Sequence, residues 1–270
     1  MAIDSSVKFL YGSKFGRGLL SFILAIKVPA LLGCFLRSDF SKFYIKKFIR
    51  LNGIDMTPWQ GQKFKSFNDF FTRSKEITFD AEPSHLISPS DSLLSVYKIE
   101  ENSSFHIKGA DYTLEDFFQD VEVAKKFVGG DCLVFRLCAT DYHRYNYIDN
   151  GTVGENHYIE GKLYSVQPVA LEKYKVFTKN RRSWAILKTE NFGDVAQIEV
   201  GAFSVGGIVN HHTNASFKKG EEKGYFDLHG STIVCLFEKG KIQLLPEILS
   251  ATSAGEEYRV KVGQFIGTKI

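Results

Sequence analysis

The sequence is poor in the residues that would announce several common chemistries. Its four cysteines, Cys34, Cys132, Cys138 and Cys235, contain no Cys-x-x-Cys pair, which argues against a disulfide framework or a thiolate zinc site. They lie mostly in apolar runs and read as buried thiols of a reducing compartment. Charge of one sign is also scarce: 34 Lys and Arg against 31 Asp and Glu leave a net charge of +3, so no global electrostatic case for a nucleic-acid partner exists. No glycine-rich nucleotide loop is present. His211 and His212 are adjacent, and neighbours on a strand point to opposite faces, so they do not chelate together and no metal is expected. Long hydrophobic runs are missing too. Leu19–Ile26 follows Lys14 and Arg17 like a targeting signal, but Lys27 and Pro29 interrupt it well short of the 18 or so residues a span needs.

What is abundant is aromatic. With 24 Phe and 12 Tyr in a chain that is 44% hydrophobic, there is material for a β-rich interior, a membrane-facing surface, or both. Residues 14–50 read as two or three short helices. Pro29 opens the second, and Ser38 or Asp39 caps the third. In that third helix Phe40, Phe43, Tyr44 and Phe48 share one face, with Lys42, Lys46 and Arg50 on another. Arg37 to Arg50 holds five Lys and Arg against one Asp. This profile fits a helix lying in a membrane interface; a helix packed on its own domain with a solvated lysine face is the alternative.

From Ile87 onward the pattern turns to strands, expected at 93–99, 132–138, 184–188, 195–200, 203–209 and 232–237. One helix interrupts them, with Thr113 as its cap and Asp116 in the third position of a capping box. The expected architecture is α+β: a short helical, membrane-associating region over residues 1–80, then a mainly antiparallel β catalytic domain over 81–270.

Five stretches carry motifs that periodicity alone does not explain. They are Ser66-Phe67-Asn68-Asp69-Phe70-Phe71-Thr72-Arg73, Pro89-Ser90-Asp91-Ser92, Asp141-Tyr142-His143-Arg144, the pair Thr189–Asp194 and Glu199–Ala202, and Lys219-Gly220-Glu221-Glu222 leading to Gly230-Ser231-Thr232. Taken singly, Asp91 is an ordinary turn residue, His143 an ordinary buried histidine and Gly-Ser-Thr an ordinary turn. In this order and spacing, from about residue 8 to residue 240, the chain resembles the phosphatidylserine decarboxylases, which are self-processing and pyruvoyl-dependent.

The resemblance implies cleavage between Gly230 and Ser231. The hydroxyl attacks the preceding carbonyl, the ester undergoes β-elimination, and Ser231 becomes a pyruvoyl group, leaving chains 1–230 and 231–270 associated. Its ketone then serves as the electron sink for decarboxylation of phosphatidylserine to phosphatidylethanolamine. By the same resemblance His143 transfers the proton and holds the head group, Asp91 helps activate Ser231, and backbone around Thr232 stabilises an oxyanion and binds substrate. The implied setting is peripheral, at an anionic membrane surface on the cytoplasmic face of the cell membrane, and is compatible with a homodimer. Two departures stand out: Asn146 where many members carry a second histidine, and Ser92 for the usual glycine. Asparagine cannot shuttle a proton at neutral pH. His229, before the cleavage bond, is polar where many members are not. These departures motivate an alternative, a member that stays unprocessed and binds anionic phospholipid without turnover.

Overall fold

The computed structural model describes residues 9–13, 15–16, 18–19, 28–100, 102, 104–107, 110–162, 164–165, 170, 175–201, 207–228 and 231–270, with backbone alone at 28–30, 104–107 and 110. Its helices are α1 (Val28–Arg37), α2 (Lys42–Asn52), α3 (Phe67–Phe71), α4 (Leu114–Phe118), α5 (Val121–Lys125), α6 (Val176–Lys179) and α7 (Pro246–Ser253). The strands are β1 (His85–Ile87), β2 (Ser92–Lys98), β3 (Ser104–Ile107), β4 (Ala110–Thr113), β5 (Asp131–Leu137), β6 (Arg144–Asn146), β7 (Gly151–Val153), β8 (His157–Ile159) and β9 (Arg182–Thr189). They continue as β10 (Asp194–Gly201), β11 (Gly207–Asn210), β12 (Ala215–Phe217), β13 (Glu222–Asp227), β14 (Ser231–Phe237), β15 (Ile242–Leu244), β16 (Tyr258–Val260) and β17 (Phe265–Lys269). The class is α+β, and every pairing between these strands is antiparallel.

One sheet dominates, in the order β12-β7-β9-β10-β14-β5-β2-β16, with β8 added against β9. Its centre explains the continuous apolar run of β14. Side chains alternate across a strand, so Ile233, Cys235 and Phe237 enter one core while Val234 and Leu236 enter another. The first core is closed by β1, β17 and β15, by β11, β13 and β6, and by Ile248 of α7. The second is closed by α4, α5 and α6, whose Phe117, Phe118, Ala124 and Phe177 are buried, and by Tyr11 near the N-terminus. The Tyr11 hydroxyl also accepts the Ser165 N–H at 2.7 Å.

Thr113 caps α4 as its sequence indicated, its hydroxyl accepting the Asp116 N–H at 3.2 Å. Among the described residues the β region nevertheless holds α4, α5, α6 and α7, more than the one helix expected. α5, α6 and α7 have five, four and eight residues, too short to show a helical period. Residues 203–206 of the fifth expected strand lie outside the described residues; β11 begins at Gly207. Of the cysteines, Cys132 and Cys235 are buried, and burial pushes both thiols up. Cys34 is exposed and Cys138 half-buried, so the expectation of uniformly buried thiols is corrected.

In the helical part, Leu36 of α1, Ile45 and Phe48 of α2 and three phenylalanines of α3 form one cluster. Phe48 meets Phe67 edge-on at 5.1 Å. The expected single aromatic face of α2 therefore divides. Ile45 and Phe48, three apart, face the cluster, while Phe43 falls on the opposite side of the helix and Phe40 lies in the turn before it. Phe40 is 80% exposed and Phe43 75%.

Beneath the first core lies a buried ion pair, Lys223 Nζ to Glu199 Oε1 at 2.8 Å, both side chains essentially inaccessible. Asn210 accepts from Lys223 at 2.7 Å and donates to Glu199 at 3.3 Å, and Gln197 donates to Glu199 at 3.0 Å. The network joins β10, β11 and β13, and so fixes the small sheet on the large one. Removing one partner of a buried pair leaves an uncompensated charge, which destabilises by roughly 3–5 kcal/mol, whereas removing both leaves none. Lys223→Met should therefore lower urea-denaturation stability by about that amount, and the Glu199→Met/Lys223→Met double variant should recover most of the loss.

Candidate active site

Ser231 is the first residue of β14, paired with Gly201 of β10 on one side and Leu137 of β5 on the other. Its side chain is fully buried, and its hydroxyl has no hydrogen-bond partner among the described residues. Thr232 follows inside the ladder, between Val200 and Arg136, with its hydroxyl in the same condition. Unbonded buried hydroxyls are uncommon because losing water without compensation costs about 1–3 kcal/mol. Two fall in succession at this strand end. His229 and Gly230 lie outside the described residues. Just before them Leu228 is buried among the α3 phenylalanines with a left-handed φ of 51°. A branched residue held there stores roughly 1–3 kcal/mol of backbone strain.

His143 is also fully buried. Its ring packs against Phe71 of α3 at a tilt of 36°, centroids 3.9 Å apart, and its carbonyl accepts the Phe226 N–H at 2.9 Å. Its Nδ1 donates to the Asp141 carbonyl at 2.9 Å, which in the neutral ring places the proton on Nδ1 and leaves Nε2 as the acceptor. Phe71 and Leu228 share one cluster, so His143 is held beside the segment that leads into Ser231.

Asp91 sits at the same end of the large sheet. β2 begins at Ser92 beside β5, and β5 ends at Leu137 beside Ser231, so two strand spacings of roughly 4.8 Å separate them. The Asp91 carboxylate accepts the Val262 N–H at 2.9 Å and Lys261 Nζ at 3.2 Å. Ser231, Asp91 and His143 thus gather at one region, Ser231 and Asp91 without a side-chain bond between them. Asn146 serves a joint: its N–H donates to Pro89 O at 2.9 Å and its Nδ2 to Gly220 O at 2.7 Å.

Three further contributors stand inside the sequence motifs but were given no role of their own there. Arg144 donates to Thr72 O at 2.8 Å and to Glu222 at 2.6 Å, and lies 5.0 Å from the centre of the Tyr225 ring. Asp141 accepts the Cys138 N–H at 2.7 Å and pairs with Arg259 at 2.9 Å. Burial outweighs that pairing and raises its carboxyl above the usual range. Arg73, which closes the aromatic motif, is buried over the Trp59 and Phe70 rings. A cationic residue just past so aromatic a helix is the signal that could have singled it out.

The family model described as Phosphatidylserine decarboxylase matches residues 66–268. Phosphatidylserine decarboxylase proenzyme 2 of Clostridium acetobutylicum is 41% identical over 270 residues, covering 98% of this chain and 92% of its own. The phosphatidylserine decarboxylase proenzyme of Clostridium kluyveri is 41% identical over 278 residues, covering 100% and 94%. That of Clostridium beijerinckii is 40% identical over 275 residues, covering 98% and 92%.

Arg144 offers a test of how these motifs hold one another. A hydrogen bond to a charged group contributes about 1.5–3 kcal/mol, so Arg144→Gln should lower stability in urea by an amount of that order. Arg144→Lys, with no planar fork to reach Thr72 and Glu222 together, should restore less than half.

Proposed function

The chain belongs to the phosphatidylserine decarboxylase family, and from that premise we propose that it cuts itself between Gly230 and Ser231 and then decarboxylates phosphatidylserine to phosphatidylethanolamine. The observation that carries this reading is the buried Ser231 hydroxyl, uncommitted to any partner among the described residues, at the first position of a central strand. That orphaned atom is what a self-processing serine requires, so the residues present fit the implied group. In the proposed maturation Ser231 Oγ attacks the Gly230 carbonyl carbon and the amide becomes an ester. β-Elimination then frees residues 1–230 as a carboxylate, and hydrolysis of the resulting dehydroalanine consumes water and releases ammonia. The alternative of an unprocessed lipid binder is not favoured, since the relatives are named proenzymes.

A pyruvoyl group at position 231 supplies a ketone that captures an amine and takes up the electrons left when CO₂ departs. The chain's own residues divide the remaining tasks. Asp91, anchored by Val262 and Lys261, orients the groups that activate Ser231. His143, with its proton held on Nδ1, presents Nε2 for proton exchange at the substrate carbon and against the head group. Thr232 contributes to the oxyanion and substrate contacts beside the reacting position.

Residues 1–80 act in this proposal as the membrane-associating part and 81–270 as the catalytic part. No described helix is long and apolar enough to cross a membrane. The proposal sets this attachment at the cytoplasmic face, and support for the attachment itself comes from Leu31, Phe40, Phe43 and Leu51, each at least 66% exposed, interleaved with exposed Lys42, Lys46, Lys47 and Arg50.

Intact-mass spectrometry should find two chains, 1–230 and 231–270, the second with a carbonyl in place of its amine. Ser231→Ala should give one uncut chain that releases no CO₂ from phosphatidylserine. His143→Ala should reduce CO₂ release far more than cleavage, by the 10²–10⁴-fold typical of a lost acid–base group, whereas Asp91→Ala should block cleavage itself. A fully active His143→Ala enzyme would remove that residue from the reaction.

The membrane assignment is tested by flotation with anionic vesicles. Phe40→Ser/Phe43→Ser changes side chains that no core depends on, so the variant should fold and yet float poorly. Each basic residue near an anionic surface contributes on the order of 1 kcal/mol, so high salt should weaken binding and leave an apolar remainder. Unchanged flotation by the double variant sinks the assignment.

A further inference from the structure

One cleft, with a volume of about 390 Å³, opens beside the end of the large sheet where Asp91 and the loop after β5 lie. Asn52, Gly53, Ile54 and Asp55 form one wall, and Thr140, Asp141 and Tyr142 another. It holds four cationic side chains, Arg73, Lys75, Arg259 and Lys261, and three carboxylates, Asp55, Asp91 and Asp141. Two of the cations are committed: Arg259 to Asp141 at 2.9 Å and Lys261 to Asp91 at 3.2 Å. Asp55 is occupied in turn by the Thr57 N–H at 2.9 Å and the Thr57 hydroxyl at 2.6 Å.

Arg73 and Lys75 remain, with no carboxylate at ion-pairing distance among the described residues. Arg73 is 95% buried, since its exposure is only 5%. Its Nη1 donates to the Phe70 carbonyl at 3.1 Å and its Nε has no partner. The guanidinium lies 4.5 Å from the Trp59 ring centre, and Lys75 Nζ lies 4.9 Å from that of Tyr142. Burial pushes the Arg73 guanidinium down to about 10, still charged at neutral pH. A buried cation held by aromatic faces and one carbonyl is an incomplete arrangement, because buried charges are ordinarily paired.

We infer that Arg73 and Lys75 hold the phosphodiester of the lipid head group, with Trp59 and Tyr142 as the floor of the subsite. This rests on the proposed function and names where that substrate's permanent charge goes. The serine carboxylate is the wrong anion for such a pair. A cation that binds it in the ground state loses the interaction as CO₂ forms, and so raises the barrier. The phosphodiester keeps its charge throughout and can be gripped without that penalty. The rim agrees with a lipid: Asn52 follows Leu51, which is 66% exposed on α2.

The experiment reads binding without turnover. The chain has two tryptophans, and Trp184 lies in the second core, so Trp184→Phe leaves Trp59 beneath Arg73 as the only indole reporter. In a Ser231→Ala/Trp184→Phe chain, glycerophosphoserine should change Trp59 emission saturably and free serine should not. Inorganic phosphate, sharing the anion but lacking the arms, should bind more weakly. Lys75→Gln and Arg73→Lys should each raise the dissociation constant about tenfold or more, which is about 1.4 kcal/mol. In the cleavable enzyme Lys75→Gln should raise KM for phosphatidylserine while kcat stays within about twofold. If Arg73→Lys does not fold by circular dichroism, the half-buried Lys75 decides alone.

The inference is overturned by the absence of a saturable response, by a response that Lys75→Gln leaves intact, or by serine acting as well as the phosphodiester. Inorganic phosphate binding at least as tightly as glycerophosphoserine would assign the cleft to free phosphate and also overturn it. Because this titration uses an uncut chain, it stands apart from maturation. A wild-type protein that neither cleaves nor releases CO₂ defeats the proposed function and leaves the binding result to be judged by itself.

Discussion

The arrangement depends on β14 being hydrogen-bonded along both edges from its first residue to its last. Ser231 through Phe237 pair with Gly201 through Val195 on one side and with Leu137 through Asp131 on the other. A hydroxyl at the start of such a strand is held by two neighbours whatever the preceding loop does. The sheet supplies the rigidity, and the strain sits outside it, at Leu228. Reactive groups placed on rigid elements keep their geometry better than groups on loops.

Around that strand end the motifs hold one another more than they hold the reacting atoms. Arg144 ties the aromatic α3 motif to the charged turn through Thr72 and Glu222. Asn146 ties the same turn to the Pro89 loop. The Asp91 loop is in turn fastened to residues 261 and 262. Arg144 and Asn146 read with the other motifs because each is half of a polar contact whose other half lies in one. Arg37 adds the helical part directly, by an ion pair to Asp227.

Much of the fold was legible in the sequence wherever an element was long and buried. The expected strands at 93–99, 132–138, 184–188, 195–200 and 232–237 fall within one or two residues of β2, β5, β9, β10 and β14 at most ends. The three-residue strands β1, β6, β7, β8, β12, β15 and β16 were not, because three residues carry no period. The split of the aromatic face of α2 was also hidden. Phe40 and Phe48 look alike in composition, and only the partner surface on α3 separates them. In the site, Ser231, His143 and Asp91 were singled out by motif, but Arg73 passed as packing. Its meaning depends on Trp59 and on a cleft wall contributed by residues 140–142, and no local pattern encodes that meeting.

The bond between Asp91 and Val262 spans 171 positions of sequence. β1 likewise pairs with β17, and β2 with β16. Contacts of such separation form late, since a long loop must close before they contribute. During synthesis Ser231 leaves the ribosome before Val262 does, so the serine exists for a time with its strand neighbours made and the Asp91 loop unmoored. Chemistry that needs Asp91 in place therefore waits on the residues near 262. In the proposed maturation, closure of that loop would act as a clock, letting only a chain that has finished folding commit to an irreversible change in its own backbone.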